Sequence, residues 1–481
     1  MTTSRHGHRE RARPRLPAHE HAPLLRERVL GRAPSLLEGP LARLREDALE
    51  VALSGLAAAD PGAATARVVS YDADADAVIV DGEHYRLDRR GRVLVVGAGK
   101  ASYPIAEALE QILGSRLEGG AVVVRDPDAS PLQGIEVICA DHPLPTERSV
   151  RAAQRILEWA ASATEDDLVI TCFTGGSSSL SSLPPEQVSE EDKRTLHQQL
   201  LSSGLAITEV NAVRKQVSTV KGGRVALAAR PARVVNLTVS DVAGSPLDSV
   251  TDPTVQDTST ATAARDILER ARLWERVPTS VRTHLEQRLP TPDLSPEPQT
   301  VVLADGAATA AAMTGAAAGL GYVPISVFPE VEGDAERVGR YLATLALSES
   351  DARQTAVMVL GCGGEAVVTL HPDSQFGRGG PNQHAALMAA EVLTGSRSAA
   401  LFLDTDGSDG GTPFAGALVD GDTSRLAREL GVELQDAMVR QQSTDACEQL
   451  GVALYTGHTG TNVNDLFVLA VEGSVDDHSG A

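Results

Sequence analysis

The chain has 481 residues, 42% hydrophobic and 22% charged, which excludes a wholly disordered or fibrous protein and provides length for two or three ordinary domains. Its net charge of -22, from 65 acidic and 43 basic residues, opposes nucleic acid and anionic membranes unless a local basic patch reverses the sign. No uninterrupted apolar run is long enough to span a bilayer.

The basic residues comprise 39 Arg and only four Lys: Lys100, Lys193, Lys215 and Lys221. Where Arg is the habitual cation, each Lys marks a place to look for chemistry that a guanidinium cannot do.

In chain order, residues 1–35 are rich in Arg, His and Pro, lack the apolar centre of a signal peptide, and are expected to form a disordered basic arm. Globular patterning then begins. Residues 36–59 predict an amphipathic helix, and 77–87 a hairpin around Asp81-Gly82. Short apolar runs at 92–97, 121–124, 136–140, 168–173 and 233–239 predict buried strands, with helices at about 101–113, 148–161 and 188–204. Val/Ile/Leu strands alternating with helices point to a parallel sheet covered on both faces. The Pro-rich segment 289–299 reads as the domain boundary. Beyond it, strands are expected at 301–305, 323–328, 356–361, 365–370, 399–404 and 466–471, with helices at about 306–319, 334–347 and 383–394.

The expected fold is α/β: two α/β domains with mainly parallel sheets, a larger Rossmann-like one over 36–290 and a smaller one over 300–473, with the active site in the cleft between them. Residues 474–481 read as a disordered tail. Cys139, Cys172, Cys362 and Cys447 form no CxxC pair, so neither a disulfide framework nor a zinc site is indicated, which suits the cytoplasm.

Five segments carry chemistry. VVGAGKAS (95–102) is a strand, a Gly-rich turn and a helix start, a geometry that aims backbone N–H groups at an anion. It resembles a dinucleotide fingerprint with Asp126 as the ribose acid, but Ser102 replaces the third Gly; a plain strand-to-helix turn fits equally. TGGSSSL (174–180) follows a buried strand and offers an oxyanion the donors of Gly175, Gly176, Ser177 and Ser178, or simply caps a helix. From Val210 to Arg230 there are five basic residues and no acid, a local inversion of charge that suits phosphate, or a solvated basic face. Lys193, in EEDKR, has the ordinary reading of a surface ion pair. SDVAGSP (240–246) puts Asp241 at the end of a strand, where a Mg²⁺ ligand, a base or a turn former would stand. The second unit carries GCGGE, GRGGPNQH, DTDGSDGG and TGHTGTNVND, read as loops facing a nucleotide or metal.

The string of DHPLP (141–145), TGGSSSL, NAVRKQVSTVKGGR (211–224), SDVAGSP and PTVQD (253–257) resembles the glycerate 2-kinase family, whose members carry SGGxSAL, NxVRKHLSxVKGGR, SDVxGDP and SGPTVxD in that order. The loops of the second unit look like the family's C-terminal MOFRL domain. The resemblance spans about 36–472 and implies two α/β domains that transfer phosphate from ATP, with Mg²⁺, to the 2-hydroxyl of D-glycerate. It departs from the family pattern at Gln216 (His is usual), Ser245 (Asp), Asp252 (Gly), Pro381 (Arg) and His384 (Glu).

The family's catalytic lysine maps to Lys100. With Lys215 or Lys221 it would stabilise the transferred phosphoryl group, while Arg214 grips the carboxylate and Gly175–Ser179 donate to the carboxylate or to a phosphate. Asp241 is the first candidate for the Mg²⁺ ligand or for the catalytic role of orienting the substrate hydroxyl, with Asp406 and Asp409 behind it. The expected nucleotide contacts are Gly97, Gly99, Lys221, Gly222 and Gly223 on one side, and Arg378, Gly379, Gly380, Asn382, Thr461 and Asn462 on the other. The implied partners are D-glycerate and ATP, with neither nucleic acid nor membrane, and the chain is compatible with a homodimer. Two other readings compete: an NAD(P)-dependent hydroxypyruvate or tartronate-semialdehyde reductase, and a non-catalytic binding homologue.

Overall fold

The structure is a computed structural model describing residues 18–125, 129–240, 252–327, 331–369 and 377–473, with side chains from residue 22. Asp126, Asp241, Ser245 and the tail 474–481 lie outside the described residues.

The first sheet has six strands in the order Glu136–Cys139, Leu117–Val124, Val93–Ala98, Leu168–Phe173, Arg233–Val239 and Gln299–Ala304. Every neighbouring pair is parallel. The chain winds outward twice from the middle, so the topological switch lies between Val93–Ala98 and Leu168–Phe173. Their unbroken apolar runs arise because both faces are covered: Val95 and Ile170 enter one core, Leu94, Val96 and Phe173 the other.

Two expectations are corrected here. Gln299–Ala304, expected to open the second unit, instead pairs with Arg233–Val239 at the edge of the first sheet. The Pro-rich segment is thus a connection within the first unit, tied down by buried Leu294 and by Arg230 donating to the Asp293 carbonyl at 2.8 Å. Of the arm 1–35, expected to be disordered, residues 1–17 lie outside the described residues and Ala18–Arg32 forms a helix. Its Leu25 and Val29, one turn apart, are buried, and Arg32 lies 4.5 Å over the Tyr455 ring.

The second sheet runs Val323–Ser326, Val357–Cys362, Asp465–Val471, Ser398–Asp404, Gly416–Asp420, Ala453–Leu454. Only its first pair is parallel. The expectation of parallel strands fails here because a central antiparallel strand buried on both faces has the same apolar run as a parallel one. Of the strand expected at 365–370, Ala366–Val367 forms a short pairing with Gly333–Asp334.

The helix Ala42–Ala58, early in the chain, packs on this second sheet beside the helix Gly306–Gly319. Gly55 allows that approach: a Cβ there would lie 2.8 Å from Met313 and 3.0 Å from Leu466. One apolar cluster therefore runs through both units.

Candidate active site at the switch point

Two turns leave the central strands of the first sheet side by side. The Lys100 N–H donates to the Gly175 carbonyl at 2.9 Å, Ala101 N–H to Thr174 Oγ1 at 3.1 Å, and Thr174 N–H to the Ala98 carbonyl at 3.0 Å. Gly99 makes this stitching possible: its φ is +137°, and a Cβ would stand 2.2 Å from Thr174 Oγ1. The Gly99 N–H donates to the Val123 carbonyl. The N–H groups of this turn are thus engaged within the protein, and Gly97 serves packing, since its Cβ would fall 2.3 Å from Cys172 Sγ. The expectation that Gly97 and Gly99 hold a nucleotide is corrected accordingly. What the turn projects is the Lys100 side chain.

That side chain crosses to the second unit. Lys100 Nζ lies 2.6 Å from Asp406 Oδ2, on the loop after the strand Ser398–Asp404. Burial disfavours the ammonium, but the carboxylates of Asp406, Asp404 and Glu365 outweigh it and hold Lys100 above the ordinary lysine value. Burial, followed by the charges of Asp406 and Asp465, raises Asp404 well above the ordinary carboxylate range. The loop is braced from behind: Asp406 Oδ1 accepts the Ser408 N–H at 2.8 Å, and Gly407 packs so closely on the Gly457 carbonyl that a Cβ would sit 2.1 Å from it. Arg28 of the N-terminal helix donates to the Thr456 carbonyl at 3.0 Å, steadying that second loop.

On the other flank stand His142, Arg214 and Lys221. A Cβ on Gly176 (φ +85°) would meet His142 Cδ2 at 3.3 Å and Lys100 Cγ at 3.5 Å, so this glycine lets the imidazole and the lysine stem converge. Burial, then the charge of Lys100, pushes His142 down to about 4. Lys221 Nζ donates to the Ser178 carbonyl at 3.0 Å. Lys193, His197 and Arg214 line one small cavity with Lys221, Ser178 and Ser182. Lys193 and His197 were missed in the sequence. Their spacing of four on the helix Glu190–Leu201, with Leu196 and Leu200 buried alongside, is the signal that both face inward.

Other expected site residues go elsewhere. Lys215 pairs with Asp257 at 3.1 Å, both nearly fully buried. Gln216 donates to the same carboxylate at 2.9 Å, so Lys215 anchors the 252–259 segment. Gly222 and Gly223 donate their N–H groups to the Asp252 carbonyl. Asp252 in turn accepts from Thr254 N–H at 2.7 Å and from Asn236 Nδ2 at 3.1 Å.

In the second unit, Asp409 is a helix cap, which corrects its reading as a metal ligand. Its oxygens accept Asn382 N–H at 3.0 Å, Gln383 N–H at 2.9 Å and Gln383 Nε2 at 2.9 Å, at the start of the helix Pro381–Val392. Pro381 occupies the first helical position, where its missing N–H costs nothing. Gly379 and Gly380 are packing glycines against Ser443 and Asp409. Asn382 Nδ2 donates to Asp465 at 2.6 Å. Arg378 points outward to Asp445 at 2.5 Å and Glu448 at 2.7 Å. Thr461 Oγ1 donates to the Ala59 carbonyl at 2.7 Å, fastening the TGTN loop to the first long helix, and Asn462 is buried next to it. His384 is buried 3.4 Å from Glu336.

Residues 47–286 match the family described as "Domain of unknown function (DUF4147)" and residues 357–465 match the MOFRL family. The glycerate 2-kinase of Pyrococcus horikoshii is 35% identical over 89% of this chain and 97% of its own length. The chain belongs to the glycerate 2-kinase family. The crystal structure of the Thermotoga maritima glycerate kinase superimposes with a TM-score of 0.75 at 30% identity, covering 89% of this chain and 99% of that one. Two Agrobacterium vitis relatives, 38% identical over 79% of this chain, bear a provisional hydroxypyruvate reductase name. Within the glycerate 2-kinase fold seen here, Lys100 and Asp406 join the two matched regions.

Proposed function

We propose that this chain transfers the γ-phosphoryl group of ATP to the 2-hydroxyl of D-glycerate. The carrying observation is the Lys100–Asp406 contact, which sets a rare lysine from the first unit's switch point against the acidic loop of the second. Phosphoryl transfer needs positioned charge more than covalent help. The glycerate hydroxyl oxygen attacks the γ-phosphorus, the bond to the bridging oxygen of ADP breaks, and the hydroxyl proton leaves to solvent. Lys100 follows the equatorial phosphate oxygens as a compact point charge, while Asp406 holds the ammonium in place. Arg214 and the Gly175–Ser178 loop receive the acid.

Mg²⁺ fits the donors present: Asp404 and Asp406 offer hard oxygens on one loop, and their mutual repulsion favours an arriving cation. Among the described residues no three His, Cys, Asp or Glu side chains form a ready cage. This suits an ion carried mainly on nucleotide phosphates, where it neutralises their charge. Three buried thiols and one partly buried, none of them in a disulfide, suit the cytoplasm, and no helix among the described residues is long and apolar enough to cross a membrane.

The test is paired. ADP release that requires D-glycerate supports the kinase. NADH oxidation with hydroxypyruvate and no ADP release supports the reductase, whose pyrophosphate would find the N–H groups of the Gly99 turn already engaged.

A further inference from the structure

Lys193, Arg214 and Lys221 make up a cluster of basic side chains with no counterion among the described residues. Lys193 Nζ donates to the Leu183 carbonyl at 2.9 Å, Lys221 Nζ to the Ser178 carbonyl at 3.0 Å, and Arg214 Nη1 to Asn211 Oδ1 at 3.3 Å. All three partners are neutral oxygens, and no carboxylate among the described residues pairs with any of the three cations. Neighbouring cations are treated differently: Lys100 faces Asp406, and Lys215 and Arg224 face Asp257. Lys221 is buried and Lys193 and Arg214 are half-buried beside it; crowding basic groups together away from water is costly, and a fold tolerates it where an anion arrives. The cavity that they line is small, has the apolar side chains Leu196, Leu200 and Val217 for its other wall, and takes its lining wholly from residues 145–221. The acids that would accompany a metal–nucleotide, Asp404 and Asp406, are not part of this lining; Asp406 meets Lys100 instead.

Resting on the kinase reading above, the geometry points to this cavity as the seat of the substrate's carboxylate, with Lys193 and His197 as specificity-determining residues beside Arg214 and Lys221. The strip Gly176–Ser178 links the two halves of the site: Gly176 touches the Lys100 stem and Ser178 holds Lys221. A carboxylate in the cavity therefore leaves the adjacent carbon's hydroxyl nearest Lys100, which selects 2-hydroxy acids. Burial, then the charge of Arg214, holds Lys193 down to about 7, so an arriving carboxylate draws a proton onto it.

The test compares wild type, Lys193→Met and Lys193→Arg in the D-glycerate-dependent ADP assay. The expected result is a KM for D-glycerate raised about ten- to a hundredfold in Lys193→Met, with the KM for ATP within about twofold and substantial recovery in Lys193→Arg. Wild type should also use the neutral amide, D-glyceramide, at least about a hundredfold less efficiently than D-glycerate, a comparison that needs no variant to fold. An unchanged glycerate KM in folded Lys193→Met, or equal use of the amide, overturns this assignment and leaves the kinase standing. Wild type that releases no ADP with D-glycerate overturns both.

Discussion

Lys100 Nζ and Asp406 Oδ2 stand 2.6 Å apart although the chain separates them by most of its length, and their contact joins the switch point of one sheet to the acidic loop of the other. Replacing Lys100 by Ala removes the point charge offered to the phosphoryl group. Turnover should fall about a hundred- to a thousandfold or more, with the melting temperature nearly unchanged. An ADP-release assay beside a thermal melt checks this, and an active, folded variant contradicts it.

Asp406→Asn keeps the shape of the loop but releases Lys100. kcat should drop at least about tenfold, and the Mg²⁺ concentration for half-maximal rate should rise. A Mg²⁺ titration at saturating ATP reads both, and an unchanged titration curve refutes the role given to Asp406.

Asp409→Ala should behave differently. It strips the cap from the helix Pro381–Val392, leaving the N–H groups of Asn382 and Gln383 without their acceptor. The expected loss is about 1–3 kcal/mol of stability, read by urea unfolding. The KM for ATP should stay close to wild type, whereas a ligand of the metal would show the opposite pattern. Arg378→Ala, at an exposed ion pair, should change neither stability beyond about 0.5 kcal/mol nor the KM for ATP.

Burial and nearby cations lower His142 to about 4 and His197 to about 3. The unfolded chain binds these protons once the pH falls below the ordinary imidazole value, about 6.5, and the folded chain does not. Stability is therefore full above that value and declines as pH falls from about 6.5 towards 4, with a slope of up to about 1.4 kcal/mol per pH unit for each histidine. His197→Gln should flatten part of that slope in urea unfolding followed across pH; an identical slope contradicts the assignment.

Much of the first sheet was legible because its strands are buried on both faces and end in Gly-rich turns at the switch point. The direction of the strands in the second sheet was not, since Asp465–Val471 enters its middle from the far end of the chain and an apolar run carries no direction. Lys100 stood out by its rarity and its turn. The same argument misled for Lys215, which was picked for its basic neighbours but meets Asp257, brought in by a later segment. It also missed Lys193, whose acidic sequence neighbours suggested a surface ion pair while its ammonium turns inward to the Leu183 carbonyl. Glycine-rich loops in the second unit looked like ligand loops. Gly379, Gly380 and Gly407 instead permit close backbone packing, a use that the sequence does not distinguish from phosphate binding.

The central claim is tested most directly by phosphorus NMR of the product formed from ATP, Mg²⁺ and D-glycerate by the full chain. The account predicts a single phosphomonoester, 2-phosphoglycerate, appearing in step with ADP and absent with the Lys100→Ala variant. Formation of 3-phosphoglycerate, or no phosphorylated acid at all, would contradict it.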